Sequence, residues 1–237
     1  MSEDTVHLVD TTPGPVDPAD ALERYLRGLC PLPNEASDND VDWCLNLPPA
    51  GAPVARLRVP RRLRRIARQH PYDLRVDTAF EQVVEACATQ PRPHGWLTPP
   101  VQRISVALHR IGYAHSVECW YNDRLVGGLY GLAIGALFIG ESIFHARDHA
   151  GSLALVDLMA RLRAGGFSYL DIQMPTTHMT RYGAGASDLR SWRRRRAQAE
   201  DGRADFYALD EDPEAGLADL LAASAGTSPA PQIGCVS

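Results

Sequence analysis

Between residues 126 and 144 a single charged side chain, Glu141, interrupts an otherwise uncharged run punctuated by glycines. Two buried strands, with glycine where the chain bends or backbones approach closely, account for such a run. A carboxylate in that setting is either tied down by hydrogen bonds or held ready for a ligand. The segment Ser168-Tyr169-Leu170-Asp171-Ile172-Gln173 reads as a short strand after a helix that stops at Gly165-Gly166. Alternation sets Asp171 and Gln173 on one face, an acceptor beside an amide, although ordinary polar residues at a strand end would look the same. His115 and His178 are of the type used as general bases, but no serine or cysteine pairs with either. His145 and His149 supply no full ligand set, so no metal is expected. Residues 56–68 carry seven arginines and no acid, and residues 193–196 are four consecutive arginines. Either run has the charge to track a phosphate backbone, Arg61, Arg62, Arg64, Arg65 and Arg68 from the first and Arg193 and Arg194 from the second; a solvated helix face is the alternative.

Spacing then gives the elements that must position these side chains. Residues 1–16 lack periodicity and read as a flexible leader. Asp17 caps a helix with Pro18 at its first position and Leu22, Tyr25, Leu26 and Leu29 on its apolar face, before Gly28 and Pro31 end it. Residues 30–55, rich in proline, asparagine and acids, read as a loop anchored by Trp43. Pro60 opens a helix running to Gln69, with Leu63, Ile66 and Ala67 facing inward. A strand is expected over 72–76, and Thr78 with Glu81 forms a capping box for a helix bearing Phe80, Val83, Val84 and Cys87. A loop with Pro91, Pro93 and Gly95 leads to a helix opened by Thr98-Pro99 and closed by Gly112. Segments 116–121 and 124–131 flank Asn122-Asp123 as a hairpin. Residues 132–144 supply another buried strand, followed by a helix over about 152–164, the strand around Leu170, and an arginine-rich helix from Ser187. This order is α+β, or mixed α/β, with an antiparallel component. The division expected is a reduced N-terminal helical and loop segment over 1–55, a main domain over 56–212, and a flexible, dispensable tail over 213–237 with one short helix.

With 237 residues, 45% of them hydrophobic, the chain can bury one substantial core. No run suits a bilayer and the start lacks a secretion signal, so a cytoplasmic protein is expected. Five cysteines, odd in number and widely spaced, argue against a disulfide framework or a zinc knuckle. There is no lysine, and the net charge of -5 hides a segregation of arginine runs from acidic stretches at 38–42 and 200–219.

Taken together, His115-Ser116, the Gly-Gly-Leu-Tyr-Gly run, Gly140-Glu141-Ser142, Asp171-Ile172-Gln173 and Thr177-His178 occur in an order that resembles the leucyl/phenylalanyl-tRNA-protein transferases, over about residues 72–192. The resemblance implies an acetyltransferase-like catalytic domain, with aminoacyl-tRNA as co-substrate and no other cofactor. The pyrophosphate loop of acyl-CoA-dependent acetyltransferases is missing from the sequence. Asp171 and Gln173 match the family's Asp-x-Gln pair, whose implied role is to orient the acceptor amine and draw off its proton. Glu141 matches the acidic residue that attracts a basic N-terminal residue of the acceptor. Trp96 and Leu129 fall where the family lines an apolar pocket, Leu129 replacing a methionine; as single residues both are equally suited to a core. Tyr130, Ser142 and His178 stand at matching motif positions and are carried as substrate-binding candidates.

The match also departs from the family. Leu32 stands for a tryptophan, and the family's Gly-Leu-Leu-Ala-x-Gly-Gly-Asp segment is missing. Ala146, Gly151 and Ser152 replace arginine, serine and lysine, and Arg181-Tyr182 replaces Ser-Leu. The catalytic trio survives while its surroundings change, the profile of an enzyme whose substrate has drifted. The family default is transfer of Leu or Phe to proteins with N-terminal Arg or Lys. One alternative keeps the tRNA donor with a small-molecule amine or peptide as acceptor; a second is a non-catalytic tRNA-binding protein. Neither membrane nor DNA is an expected partner.

Overall fold

The computed structural model describes residues 5–90 and 95–226. Pro91 and Pro93 of the expected loop, the first four residues, and 227–237 of the expected tail lie outside them. The chain opens with β1 (Thr5–Thr12), α1 (Pro18–Leu26), β2 (Cys30–Asn34) and β3 (Ser37–Leu47), and the three strands form an antiparallel sheet in the order β1-β3-β2. A leader and a loop were expected over most of this stretch. The prolines of β2 are tolerated because β2 is an edge strand, where a missing N–H breaks no ladder. In β3 the acids lie on the wetter face while Val41 and Trp43 fill the core, so the hydrophobic signal is confined to alternate positions.

The second sheet has seven strands in the order β10-β4-β9-β8-β7-β6-β5. In chain order these are β4 (Ala50–Pro53), β5 (Asp73–Val76), β6 (Ala114–Tyr121), β7 (Arg124–Ile134), β8 (Leu137–His145), β9 (Tyr169–Gln173) and β10 (Gly185–Ala186). All neighbours are antiparallel except β8 and β9. The fold is therefore α+β with a mixed sheet. Because β4 pairs with β9 in this sheet, the division placed after residue 55 cuts through it. The β6–β7 hairpin turns as expected through Asn122 and Asp123, whose φ of 49° and 56° are those of a type I′ turn. The following strand begins later than expected, because β7 continues to Ile134 before the chain reverses.

Helices cover both faces of this sheet. On one face α5 (Ala150–Ala164) is flanked by α2 (Arg61–Ala67) and α8 (Pro213–Gly226), in a core that includes Leu63, Leu129, Leu158, Phe206 and Leu221. On the other lie α1, α3 (Phe80–Ala88), α4 (Pro99–Arg110) and α7 (Leu189–Glu200), around Tyr25, Val84, Ile104, Tyr130 and Trp192. Helix α5 is apolar nearly all round because the sheet and α8 enclose it. It docks on β7 at Gly127, where an added Cβ would stand 2.5 Å from that of Ala150. The capping box expected at α3 does not form. Its first turn is instead held by Glu118 of β6, which accepts from the Ala79 N–H at 2.8 Å and from the Thr78 hydroxyl. The expected flexible tail starts as the 14-residue helix α8. Leu220, Leu221 and Ser224 of that helix are buried, and the Ser224 hydroxyl accepts from the Val59 N–H at 2.9 Å.

Candidate active site

The site forms where α1, β8, β9 and α7 meet. In the β7–β8 ladder Tyr130 pairs with Ser142 and Gly131 with Gly140, leaving Glu141 as the extra residue of a bulge. Ile139 and Phe144 face the same core although an odd number of positions separates them, so the bulge has reset the alternation. Glu141 consequently turns to the α1–α7 face of the sheet. On β9 Tyr169 belongs to that core and Leu170 to the opposite one, so alternation brings Asp171 and Gln173 to the same face as Glu141. The expected trio does converge.

A ring of hydrogen bonds fixes it. Asp171 is fully buried, and its Oδ1 accepts from the Gln173 N–H at 2.8 Å and from Trp192 Nε1 at 3.2 Å. The first of these bonds closes the strand end and holds Gln173 at φ 63°, a left-handed conformation that costs a non-glycine residue about 1–2 kcal/mol. The other carboxylate oxygen pairs with Arg196, whose Nη2 donates to the carbonyl of Tyr25 and lies 3.4 Å from Glu200. Gln173 Nε2 donates to Glu141 Oε1 at 2.7 Å, and the Tyr25 hydroxyl donates to the same carboxylate, closing the ring. Helix α1 approaches α7 this closely because it ends at Gly28. That glycine has φ 82°, and an added Cβ would fall 2.4 Å from the Trp192 ring.

The two carboxylates differ in kind. Asp171 faces a guanidinium and three donor groups in all. Among the described residues Glu141 is bonded by neutral donors, and burial pushes its pKa up to about 7; the charge of Asp171 adds to the rise, while the bonds from Tyr25 and Gln173 oppose it. Burial, followed by the proximity of Glu141, also drives the Tyr25 phenol well above its usual range. The result is a carboxyl group that changes charge near neutrality, beside a primary amide and a phenol. Such a set can hold a cation or hydrogen-bond an amine.

The remaining candidates separate. Tyr130 is buried on the same side as the trio, edge-on to Phe80 at 5.7 Å, and Ser142 is buried opposite it in the ladder. Trp96 packs half-buried on that same core. Leu129 instead points into the α5 side, so it does not share an apolar lining with Trp96; adjacent strand residues face opposite ways. His178, in α6 (Thr177–Thr180), packs on Tyr182 of the α5-side core with its ring centroid 5.2 Å away, and burial lowers its pKa, with Arg181 and His145 adding to the effect. His115 is bonded to Asp77 at 2.8 Å, in a cluster joined by Tyr207. Arg61, Arg62, Arg65 and Arg68 are exposed and Arg64 is half-buried, while Arg193 and Arg194 are exposed on α7. The two arginine runs thus arise on opposite faces of the sheet. Among the described residues no group of three or more His, Cys, Asp or Glu side chains is placed to hold a metal ion, and no helix is long and apolar enough to cross a membrane.

Sequence reasoning missed Arg196, Trp192 and the hydroxyl of Tyr25. Arg196 belongs by sequence to a surface run, although Trp192, Arg196 and Ala199 recur at the helical spacing of a buried stripe. The apolar periodicity of α1 accounts for the ring of Tyr25 and carries no signal for its hydroxyl.

Residues 52–196 match the model of a family described as leucyl/phenylalanyl-tRNA protein transferase. Similar proteins carry that same name. The one from Phenylobacterium zucineum is 42% identical over 196 residues, 81% of this chain and 88% of its own length. The one from Nitrobacter winogradskyi is 38% identical over 221 residues, 92% of this chain and 98% of its own. That of Paramagnetospirillum magneticum is 44% identical over 165 residues, covering 69% and 79%.

Proposed function

Since the chain belongs to the leucyl/phenylalanyl-tRNA protein transferase family, we propose that this aminoacyltransferase moves leucine or phenylalanine from aminoacyl-tRNA to the N-terminal amine of proteins that begin with arginine or lysine. The single observation that carries this reading at the level of the site is the convergence of Glu141, Gln173 and Asp171 in one hydrogen-bonded ring. The ester of a charged tRNA is already activated, so peptide-bond formation requires no further cofactor, only a neutral amine held against the ester carbonyl. The amine nitrogen bonds to the carbonyl carbon, the bond from that carbon to the ribose oxygen breaks, and the proton lost by nitrogen ends on the ribose oxygen.

Gln173 and Glu141 are half-buried and meet the substrate; Asp171, sealed from solvent, acts through Gln173. The side-chain oxygen of Gln173 accepts from an N–H of the amine and aims its lone pair. Ionised Glu141 attracts the basic side chain of the first acceptor residue. Trp96, half-buried on the same side of the sheet, shapes the apolar wall for the transferred side chain, backed by the buried Tyr130 and its ladder partner Ser142. Arginines of α2 and α7 hold the phosphates of the tRNA, a shape-directed contact that carries little sequence preference. A tRNA donor places the reaction in the cytoplasm.

The test is transfer of radiolabelled amino acids from a total aminoacyl-tRNA pool to an Arg-starting peptide. Label restricted to Leu or Phe, and lost in Glu141→Ala, is the expected result. Charged tRNA that binds without labelling the peptide overturns the protein-acceptor reading and redirects the search to a small amine. Family membership leaves the non-catalytic alternative without support.

A further inference from the structure

Building on the acyl-transfer reading above, we infer that Arg196 is a positioning residue: it locks Asp171 as the fixed support of Gln173, which removes Asp171 from any proton-accepting role. Every lone-pair direction of Asp171 that the ring uses is already taken. One oxygen holds the Arg196 guanidinium, the other holds the Gln173 N–H and Trp192 Nε1, and none of the carboxylate reaches solvent. A substrate amine has no path to it. The same guanidinium grips the Tyr25 carbonyl, so one cation, itself 4% exposed, fixes both the backbone of Gln173 and the helix whose phenol caps Glu141. Arg196 touches no substrate, yet it sets the geometry of both groups that do.

Buried ion pairs supply a way to separate position from chemistry. Removing Arg196 strands the Asp171 charge, removing Asp171 leaves the guanidinium with only the more distant Glu200, and removing both returns the cluster to its wild-type net charge. The change Asp171→Asn keeps an oxygen for the Gln173 N–H and Trp192, but turns an amide toward Arg196. Methionine in place of Arg196 fills the volume without charge. The double variant therefore retains the support of Gln173 while lacking any carboxylate at that point of β9.

The experiment measures kcat and KM for an Arg-starting peptide with full-length wild type, Arg196→Lys, Arg196→Met, Asp171→Asn and the pair Arg196→Met/Asp171→Asn, after thermal denaturation has established the folded fraction of each. Each single neutral variant is expected to lose about 100-fold in kcat per folded molecule, with KM changed by no more than about threefold. The paired variant recovers at least about tenfold over either single one. Arg196→Lys, which keeps the charge but cannot grip Asp171 and the Tyr25 carbonyl together, falls between wild type and Arg196→Met and serves as the check should the methionine variant not fold. A folded double variant as inactive as Asp171→Asn overturns the inference, because Asp171 is then needed for its chemistry. Unchanged kcat in folded Arg196→Met or Arg196→Lys overturns it also, since the arginine is then structural only. Absence of transfer by wild type overturns the functional reading itself, and this role with it.

Discussion

Glu141 has a measurable cost. Its carboxyl would titrate at 4.5 in an unfolded chain and at about 7 in the fold, chiefly because burial disfavours its charged form. Below pH 4.5 both states hold the proton and the cost is absent. As pH rises toward 7 the unfolded chain releases the proton and the fold retains it, so stability falls; above 7 both are ionised and the loss is complete. The difference between 4.5 and about 7, at roughly 1.4 kcal/mol per pH unit, gives about 3.5 kcal/mol. Solvent contact at the edge of the half-buried side chain makes this an upper value. Glu141→Gln keeps an oxygen for Gln173 Nε2 and has nothing to ionise. Guanidinium unfolding of both proteins at pH 5 and pH 8 gives four free energies, and the double difference cancels every other titrating group. The variant is expected to gain about 2–3 kcal/mol on wild type between the two pH values. A double difference below about 0.5 kcal/mol would refute the reasoning, because Glu141 would then be no less comfortable as an anion in the fold than in the unfolded chain.

The same titration governs recognition of the acceptor. KM for an Arg-starting peptide is expected to fall as pH rises through about 7 in wild type, while in Glu141→Gln it stays level; a parallel fall in both would assign the effect to another group. Gly28→Ala forces a side chain into the Trp192 ring at a left-handed φ, and denaturant unfolding should show a loss of about 2–5 kcal/mol with impaired transfer. Ending the chain at residue 212 strips Leu220 and Leu221 from the core around α5, so a loss of about 3–6 kcal/mol is expected; unchanged stability would restore the view that this segment is dispensable. Changing Arg61, Arg62 and Arg65 together to Ala should weaken tRNA binding and flatten its dependence on salt, the slope of log K against log salt dropping by roughly 2. An unaltered slope would leave that helix as a solvated surface.

Legibility in the sequence followed the physical source of each signal. The Asn122-Asp123 turn and the Asp17 cap of α1, which accepts from the Ala19 N–H at 2.8 Å, are local, and their residues announce them. The first sheet was illegible because its stability is not local. Strand β2 carries two prolines that only an edge position excuses, and β3 shows acids wherever it meets water. The cap of α3 differs from expectation for a related reason: Thr78 does bond a glutamate, but Glu118 reaches it from β6 while Glu81 pairs with Arg110 on the surface.

In the site the same division decides which members could be found. Periodicity reports the face a residue occupies on its own element, and that sufficed for Asp171 and Gln173. It also isolated Glu141, but strict alternation in β8 would have set Glu141 and Ser142 on opposite faces; the bulge is a property of the pairing with β7 and has no residue of its own in the sequence. Arg196 was harder still, since its neighbours Arg193 and Arg194 are exposed and four like residues in a row carry no contrast. Only its partners single it out: Asp171 from β9 and the Tyr25 carbonyl from α1. A buried guanidinium is retained in a fold where paired acceptors meet it, so an arginine on an apolar helical stripe that already holds a tryptophan and an alanine is evidence for a buried carboxylate elsewhere in the chain. Asp171, flanked by Leu170 and Ile172 in the segment least able to leave a charge unpaired, is the residue such a search would reach.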